Sequence, residues 1–354
     1  MLNSAGLHYR FVAGNSFESA PMRPDQPFPS AERNFEDDAF SRLNSLRTFM
    51  EAGLVGGESL VERLLIGLLA DGHLLLEGAP GLAKTRAVKW LARGLNVAFA
   101  RIQCTPDLMP ADMTGTSIWR PDRSTFEFSA GPVFHSLILV DEINRAPPKV
   151  QSALLEAMAE RQVTVAGVTH RLPDPFMVVA TQNPIEHEGT FRLPEAQLDR
   201  FMLHVELELP DEQTERKILD LVEHEASRET PCLSTPLDAR DIAAARAATL
   251  RVYLSPAVKN YIVRLVTAPR RADFAPDTKA KIEHPSSPRG TLALAMAAKA
   301  RAYLAGRDHV LPDDVAALAV DALAHRTILT WRALADGATA RGVIGDYLDL
   351  VEPV

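Results

Sequence analysis

Hydrophobic residues along this chain follow two regimes that change near Pro210. Before it, compact apolar runs alternate with stretches of helical period. "HLLLEG" (73–78), "SLILVDE" (136–142), "FMVVATQNP" (176–184) and "FMLHVELELP" (201–210) read as strands, three of them continuous enough for a parallel sheet covered on both faces. Between them "SLVERLLIGLLA" (59–70), "AKTRAVKWLARGL" (83–95) and "PPKVQSALLEAMAER" (147–161) carry helical spacing, the last with proline at its start, and a shorter amphipathic helix is expected over 35–47. This alternation predicts an α/β layer with right-handed crossovers. Two segments interrupt it: "TSIWRPDRSTFEFS" (116–129) has strand-like halves around a Pro-Asp turn, and "VTVAGVTHRL" (163–172) alternates around Ala166-Gly167, so both predict hairpins.

After Pro210 the pattern becomes helical, with helices expected at 211–225, 239–249, 256–268, 290–305 and 313–327. In "PAVKNYIVRLV", Val258, Tyr261, Ile262, Leu265 and Val266 share one face, as packing inside a small helical domain requires. Residues 1–35 carry four closely spaced prolines (Pro21, Pro24, Pro27, Pro29) without a sustained period and read as a mobile arm. The domain expectation is therefore an arm over 1–35, an α/β core over 36–210 and an all-α domain over 211–354.

Bulk properties narrow the classes. The 354 residues suffice for two domains, and 46% hydrophobic with 24% charged residues is an ordinary globular balance. No run of about 18 apolar residues exists to span a bilayer and the start has no secretory pattern, so a cytoplasmic protein without membrane insertion is expected. Cys104 and Cys232 lack metal-ligand spacing and read as buried free thiols. His170 and His187, two loop histidines without fixed spacing, do not support a metal site. A net charge of −8 opposes bulk attraction to nucleic acid and makes it the runner-up partner.

The chemistry concentrates in "GAPGLAKT": Gly78, Ala79, Pro80, Gly81, Leu82, Ala83, Lys84 and Thr85. Strand, glycine loop and helix follow in the order of a phosphate loop, in which backbone N–H groups surround phosphates and a lysine neutralises them. The usual pattern has glycine before the lysine, where this chain has Ala83. If that residue is helical its methyl costs little; if its φ is positive the penalty is roughly 1–2 kcal/mol. Alone, the loop is only suggestive, since glycine turns also join strands to helices without binding anything. Behind it, however, "LILVDE" ends a strand in Asp141, suited to support a magnesium ion, and Glu142, suited to activate water. "ATQNP" places Asn183 at the next strand end, in reach of the water or γ-phosphate.

Together with "QCTPDLMPADMTGT", "DEINRAPPKVQSALLEAMAERQVTV", "ATQNPIEHEGTFRLPEAQLDRF" and "SPRGTLAL", these residues resemble the MoxR group of AAA+ ATPases from about residue 45 to the C-terminus. Alanine before the lysine is usual in that group. The resemblance implies an AAA+ αβα core with a parallel sheet followed by a small all-α lid, with ATP and Mg2+ as cofactors. Lys84 and Thr85 would bind phosphates and metal, Asp141 would support the metal, Glu142 would activate water and Asn183 would be the first sensor. Arg200 resembles the arginine finger that reaches a neighbouring subunit, and Arg289 the second sensor on the lid. Segments 103–129 and 163–172 resemble the helix-2 insertion and the pre-sensor hairpin. The chain departs at "VGGE", where Gly57 replaces a common glutamine near the adenine.

The resemblance further implies a homo-oligomeric, hexameric ring that remodels or activates a client, with a von Willebrand factor A domain protein as partner. A nucleic-acid translocase and a magnesium-chelatase-like motor subunit share the same core. The negative charge and the lack of an appended basic module favour the chaperone-type reading.

Overall fold

The computed structural model describes residues 38–184, 189–226, 233–271 and 273–353. The arm at 1–35, His187 and Cys232 lie outside the described residues. From residue 38 to 353 the chain packs as one unit.

The first part contains α1 (Asp38–Ala52), α2 (Glu58–Leu69), β1 (Leu74–Glu77), α3 (Lys84–Gly94), β2 (Phe99–Gln103), α4 (Pro110–Thr114), β3 (Gly115–Arg120), β4 (Thr125–Ala130), β5 (Leu137–Asp141), α5 (Pro148–Glu160), β6 (Gln162–Val165), β7 (Val168–Arg171), β8 (Met177–Gln182), α6 (Glu195–Leu198) and β9 (Leu203–Glu206). Strands β2, β5, β8, β1 and β9 form, in that spatial order, a five-stranded parallel sheet. Successive residues of its inner strands point to opposite faces, and both faces are covered. Leu75, Ile138, Val140, Val178 and Ala180 pack in one cluster with Val150, Leu154, Leu155 and Met158 of α5. Leu74, Leu76, Leu139 and Val179, on the alternate face, are equally buried, and α3 packs against β5 and β8. Continuous apolar runs follow directly from that double coverage.

The expected hairpins form as β3–β4 and β6–β7. The strand β2 has no counterpart in the apolar pattern. It is an edge strand, and only Ile102 of its five residues is buried.

Beyond Pro210 lie α7 (Glu212–Ala226), α8 (Ala239–Arg251), α9 (Pro256–Thr267), α10 (Pro276–Lys279), β10 (Ile282–His284), α11 (Pro288–Leu304), α12 (Pro312–Leu323), β11 (Ile328–Leu329), α13 (Trp331–Ala335) and α14 (Ala340–Leu350). Local chemistry starts these helices: Ser255 accepts from the Val258 N–H with Pro256 next in line, and Asp238 and Asp241 form a reciprocal cap on α8. The five expected helices are present, and Val258, Tyr261, Ile262, Leu265 and Val266 are all buried. Two features exceed the expectation: the small antiparallel β10–β11 ribbon interrupts an otherwise helical region, and α13 and α14 close the chain.

Candidate active site

In parallel α/β sheets the carboxyl ends of the strands open onto the ligand crevice. Here β1, β5 and β8 end side by side and deliver every candidate between residues 78 and 183 to one place.

The 78–85 loop leaves β1 tightly. The Gly78 N–H donates to the Gln182 carbonyl at 3.4 Å. A Cβ on Gly78 would stand 3.0 Å from the Leu207 carbonyl oxygen, a tight approach of backbone to backbone that glycine relieves. Gly81 has φ +89° and faces open space, with no atom within 4 Å of a Cβ placed there. Ala83, which caps α3, has φ 54° and ψ 15°, in the left-handed region. The costly alternative for that alanine therefore holds. The Lys84 ammonium turns back into the loop and donates to the carbonyls of Gly78, Ala79 (3.3 Å) and Gln182 (3.3 Å). A cation held among carbonyls at the start of a helix is placed where an anionic ligand would exchange for those oxygens.

Thr85, at the second position of α3, donates to both carboxylate oxygens of Asp141, at 3.1 and 3.2 Å. Thr181 of β8 joins the two acids: its hydroxyl donates to Asp141 Oδ1 at 2.9 Å and accepts the Glu142 N–H at 2.9 Å. That N–H is presented by a backbone with φ 56°, a conformation rare outside glycine, which fixes how Glu142 leaves the strand. The Glu142 carboxylate accepts from Gln103 Nε2 at 3.0 Å and from Arg145 at 3.1 Å. Asn183 is buried beside them, and its carbonyl accepts from Asn144 Nδ2 at 3.3 Å. A hydroxyl paired with a buried carboxylate is a hard oxygen donor set. It suits magnesium, which is normally held by one or two protein oxygens with the remainder from water and phosphate. Among the described residues no cluster of three or more His, Cys, Asp or Glu offers a complete cage. Burial, with the charges of Asp141 and Glu142, pushes the neighbouring Cys104 thiol up to about 12, so it is inert. His170 stacks on Phe128 with ring centroids 4.0 Å apart.

Against the loop opens a cleft of about 640 Å³. Leu54, Val55, Leu82, Leu207 and Ile218 give it apolar walls, and Gly57 lines it too. An apolar cleft sharing Gly81–Ala83 with a phosphate-type loop has the shape for a flat base on a charged tail.

Arg200 and Arg289 stand in a second cluster. Arg200 donates through Nη1 to the Leu155 carbonyl at 3.0 Å, while its buried Nε has no hydrogen-bond partner among the described residues. Arg289 pairs with Asp199 at 3.2 Å. Among the described residues no hydrogen bond or ion pair joins either arginine to the loop or to Asp141 and Glu142. Asp199 is the hub: Ser287 donates to it at 3.3 Å, and the buried Arg326 reaches its Oδ1 at 2.9 Å while also holding the carbonyls of Asp199, Phe201 and Met202.

Sequence reasoning missed Thr181, Arg101, Gln103, Asp199 and Arg326. Thr181 had a signal, since a lone hydroxyl in a strand buried on both faces must find a partner. The others had none, being joined to their partners by tertiary contact alone.

Three comparisons bear on this geometry. A family model described as "ATPase family associated with various cellular activities (AAA)" matches residues 73–203, and one for an AAA lid domain matches 274–346. The chain is 44% identical over 300 residues to "Chaperone MoxR1" of Mycobacterium tuberculosis, covering 84% of this chain and 78% of that protein. It is 34% identical to "Protein MoxR" of Methylorubrum extorquens, over 78% of this chain and 84% of that one. A crystal structure from Cytophaga hutchinsonii, described there only as a candidate ATPase, superposes with a TM-score of 0.81 at 39% identity, covering 89% of this chain and 96% of that one.

Proposed function

Because this chain belongs to the MoxR family of AAA+ ATPases, we propose that it hydrolyses ATP to ADP and phosphate in a hexameric ring and uses the resulting motion to assemble or activate a client protein. Residues 36–210 are the ATP-handling core in this reading and 211–354 its lid. The observation that carries it is the convergence of Lys84, the Thr85–Asp141–Thr181 group and Glu142 at the ends of three adjacent strands, beside the apolar cleft.

The adenine occupies the cleft, with the smaller Gly57 at its rim in place of a glutamine. The backbone from Gly78 to Ala83 wraps the phosphates, and Lys84 exchanges its carbonyl partners for phosphate oxygens. Thr85 and Asp141 would hold magnesium, whose bound charge would offset the charge developing on the transferred phosphoryl group. Glu142 orients and deprotonates the attacking water, held on station by Gln103 and Arg145, and Asn183 senses the γ-phosphate. Arg200 serves the neighbouring subunit's site. Arg289 reports nucleotide to the lid. A protein with a von Willebrand factor A domain is the adaptor. The hairpins give the client its apolar contacts, since Phe126 is 70% and Trp119 48% exposed. Among the described residues no helix is long and apolar enough to cross a membrane.

Glu142→Gln tests the reading. The variant keeps the pocket and metal group, so it should bind ATP, accumulate as an assembled ring and retain client in a pull-down while turnover falls by roughly 100-fold or more. Near-normal turnover would place the base elsewhere.

A further inference from the structure

The Asp141 carboxylate is nearly buried, and its open side is covered by a cation that the reading above does not use. Arg101 of the edge strand β2 reaches Oδ2 through Nε at 2.8 Å and through a terminal nitrogen at 2.7 Å. The side chain of Asp141 is 8% exposed and that of Arg101 45%, so the guanidinium lies on the solvent side of the acid. The inner side is taken by Thr85 and Thr181. Arg101 also donates to Gln103 Oε1 at 2.9 Å, which fixes the guanidinium plane from a second direction.

We propose that Arg101 is a positioning residue that reserves the Asp141–Thr85 pair for a divalent cation arriving with a nucleoside triphosphate and keeps the free cation off. This rests on the assignment of that pair as the magnesium site. A buried carboxylate without a counter-charge is costly, and any divalent cation in solution would relieve it. The guanidinium already supplies that charge. A lone cation must either displace a doubly bonded, partly desolvated arginine or sit beside its positive charge, and both oppose binding. A metal–triphosphate complex carries net negative charge, so the same arginine does not repel it. With two protein side chains, Thr85 and Asp141, to hold the cation, phosphate oxygens are needed to complete the coordination as well. Charge and coordination therefore select the same species.

The test uses the full chain as wild type, Arg101→Gln and Arg101→Lys. Mn2+ alone is titrated by electron paramagnetic resonance against nucleotide-free protein, and the Mg2+ dependence of binding is measured with a fluorescent non-hydrolysable ATP analogue. Wild type should hold no Mn2+ at sub-millimolar concentration without nucleotide. Arg101→Gln should bind Mn2+ alone at least about fivefold more tightly than wild type, whereas Arg101→Lys, which keeps the charge, should stay within about twofold of wild type, and the Mg2+ half-point for analogue binding should change little in either variant. Tight Mn2+ binding to nucleotide-free wild type overturns the proposal without any variant. An unchanged affinity for Mn2+ alone in a folded Arg101→Gln overturns it too, as does a lysine variant that behaves like the glutamine one. If analogue binding to wild type needs no metal at all, the assignment of Thr85 and Asp141 fails instead, which separates the two readings.

Discussion

Ala83→Gly is expected to stabilise the protein, although it removes a methyl group and places glycine at a helix start. Ala83 sits at φ 54°, ψ 15°, where an L side chain crowds its own backbone at a cost of about 1–2 kcal/mol. Glycine removes that cost but adds freedom to the unfolded chain, worth about 0.4–1 kcal/mol in the opposite direction. Because the position caps α3 and is not inside it, the penalty for glycine within a helix does not apply. The net gain is about 0.8 kcal/mol, or roughly 1–3 °C in melting temperature for a chain of this size. The assay is thermal and urea unfolding without nucleotide, with Gly81→Ala as the opposing control. Gly81 has φ +89° in open space, so alanine there meets no neighbour and suffers from backbone strain alone. It should lower stability by a similar amount and, by placing a methyl where phosphate would lie, weaken ATP binding. An Ala83→Gly protein that melts at or below wild type while Gly81→Ala falls would refute the strain argument at position 83.

Lys84→Ala should weaken ATP binding by roughly 10- to 150-fold, the worth of about 1.5–3 kcal/mol for a charged hydrogen bond, and hydrolysis should fall with it; calorimetric titration reads this directly. Arg200→Ala and Glu142→Gln should each be nearly inactive, yet an equal mixture should recover activity, because about a quarter of interfaces then pair an intact pocket with an intact finger worth three to five orders of magnitude in rate. Mixed rings verified by mass that remain inactive would make Arg200 a residue of its own subunit. Stability should decline as pH falls below 6.5. His73, whose Nδ1 accepts the Val178 N–H, is lowered to about 3 by burial and by Arg161, and His325 is lowered well below its usual value by burial, Arg326 and His204. The unfolded chain then binds protons that the folded one refuses, so each histidine costs about 1.4 kcal/mol per pH unit below 6.5, down to about 3 for His73. Urea midpoints between pH 7.5 and 5 check this, and a flat profile would show that both rings protonate in place.

The parts legible in the sequence are those whose causes are local or periodic. Inner strands buried on both faces must be apolar without interruption, so β1, β5 and β8 were plain, as were helices marked by a proline or cap at their first turn. The loop and the acids at strand ends were legible because a phosphate-binding turn needs its residues adjacent in sequence. The edge strand β2 gave no such signal. Half-exposed, with one buried residue, it resembles a loop in pattern, and it carries Arg101 and Gln103, which engage Asp141 and Glu142. The conformation of Ala83 was undetermined as well, since sequence admits both a helical and a left-handed φ and only the path from β1 into α3 selects between them. The Asp199 hub was wholly a tertiary outcome. Its partners Ser287, Arg289 and Arg326 lie 88 to 127 residues away, and no composition or spacing announces that a buried arginine of one region will hold the carbonyls of another. Period and adjacency record what a segment must do with its own neighbours in the chain; which charges meet across the fold is decided when apolar faces pack and bring the polar groups at their rims together.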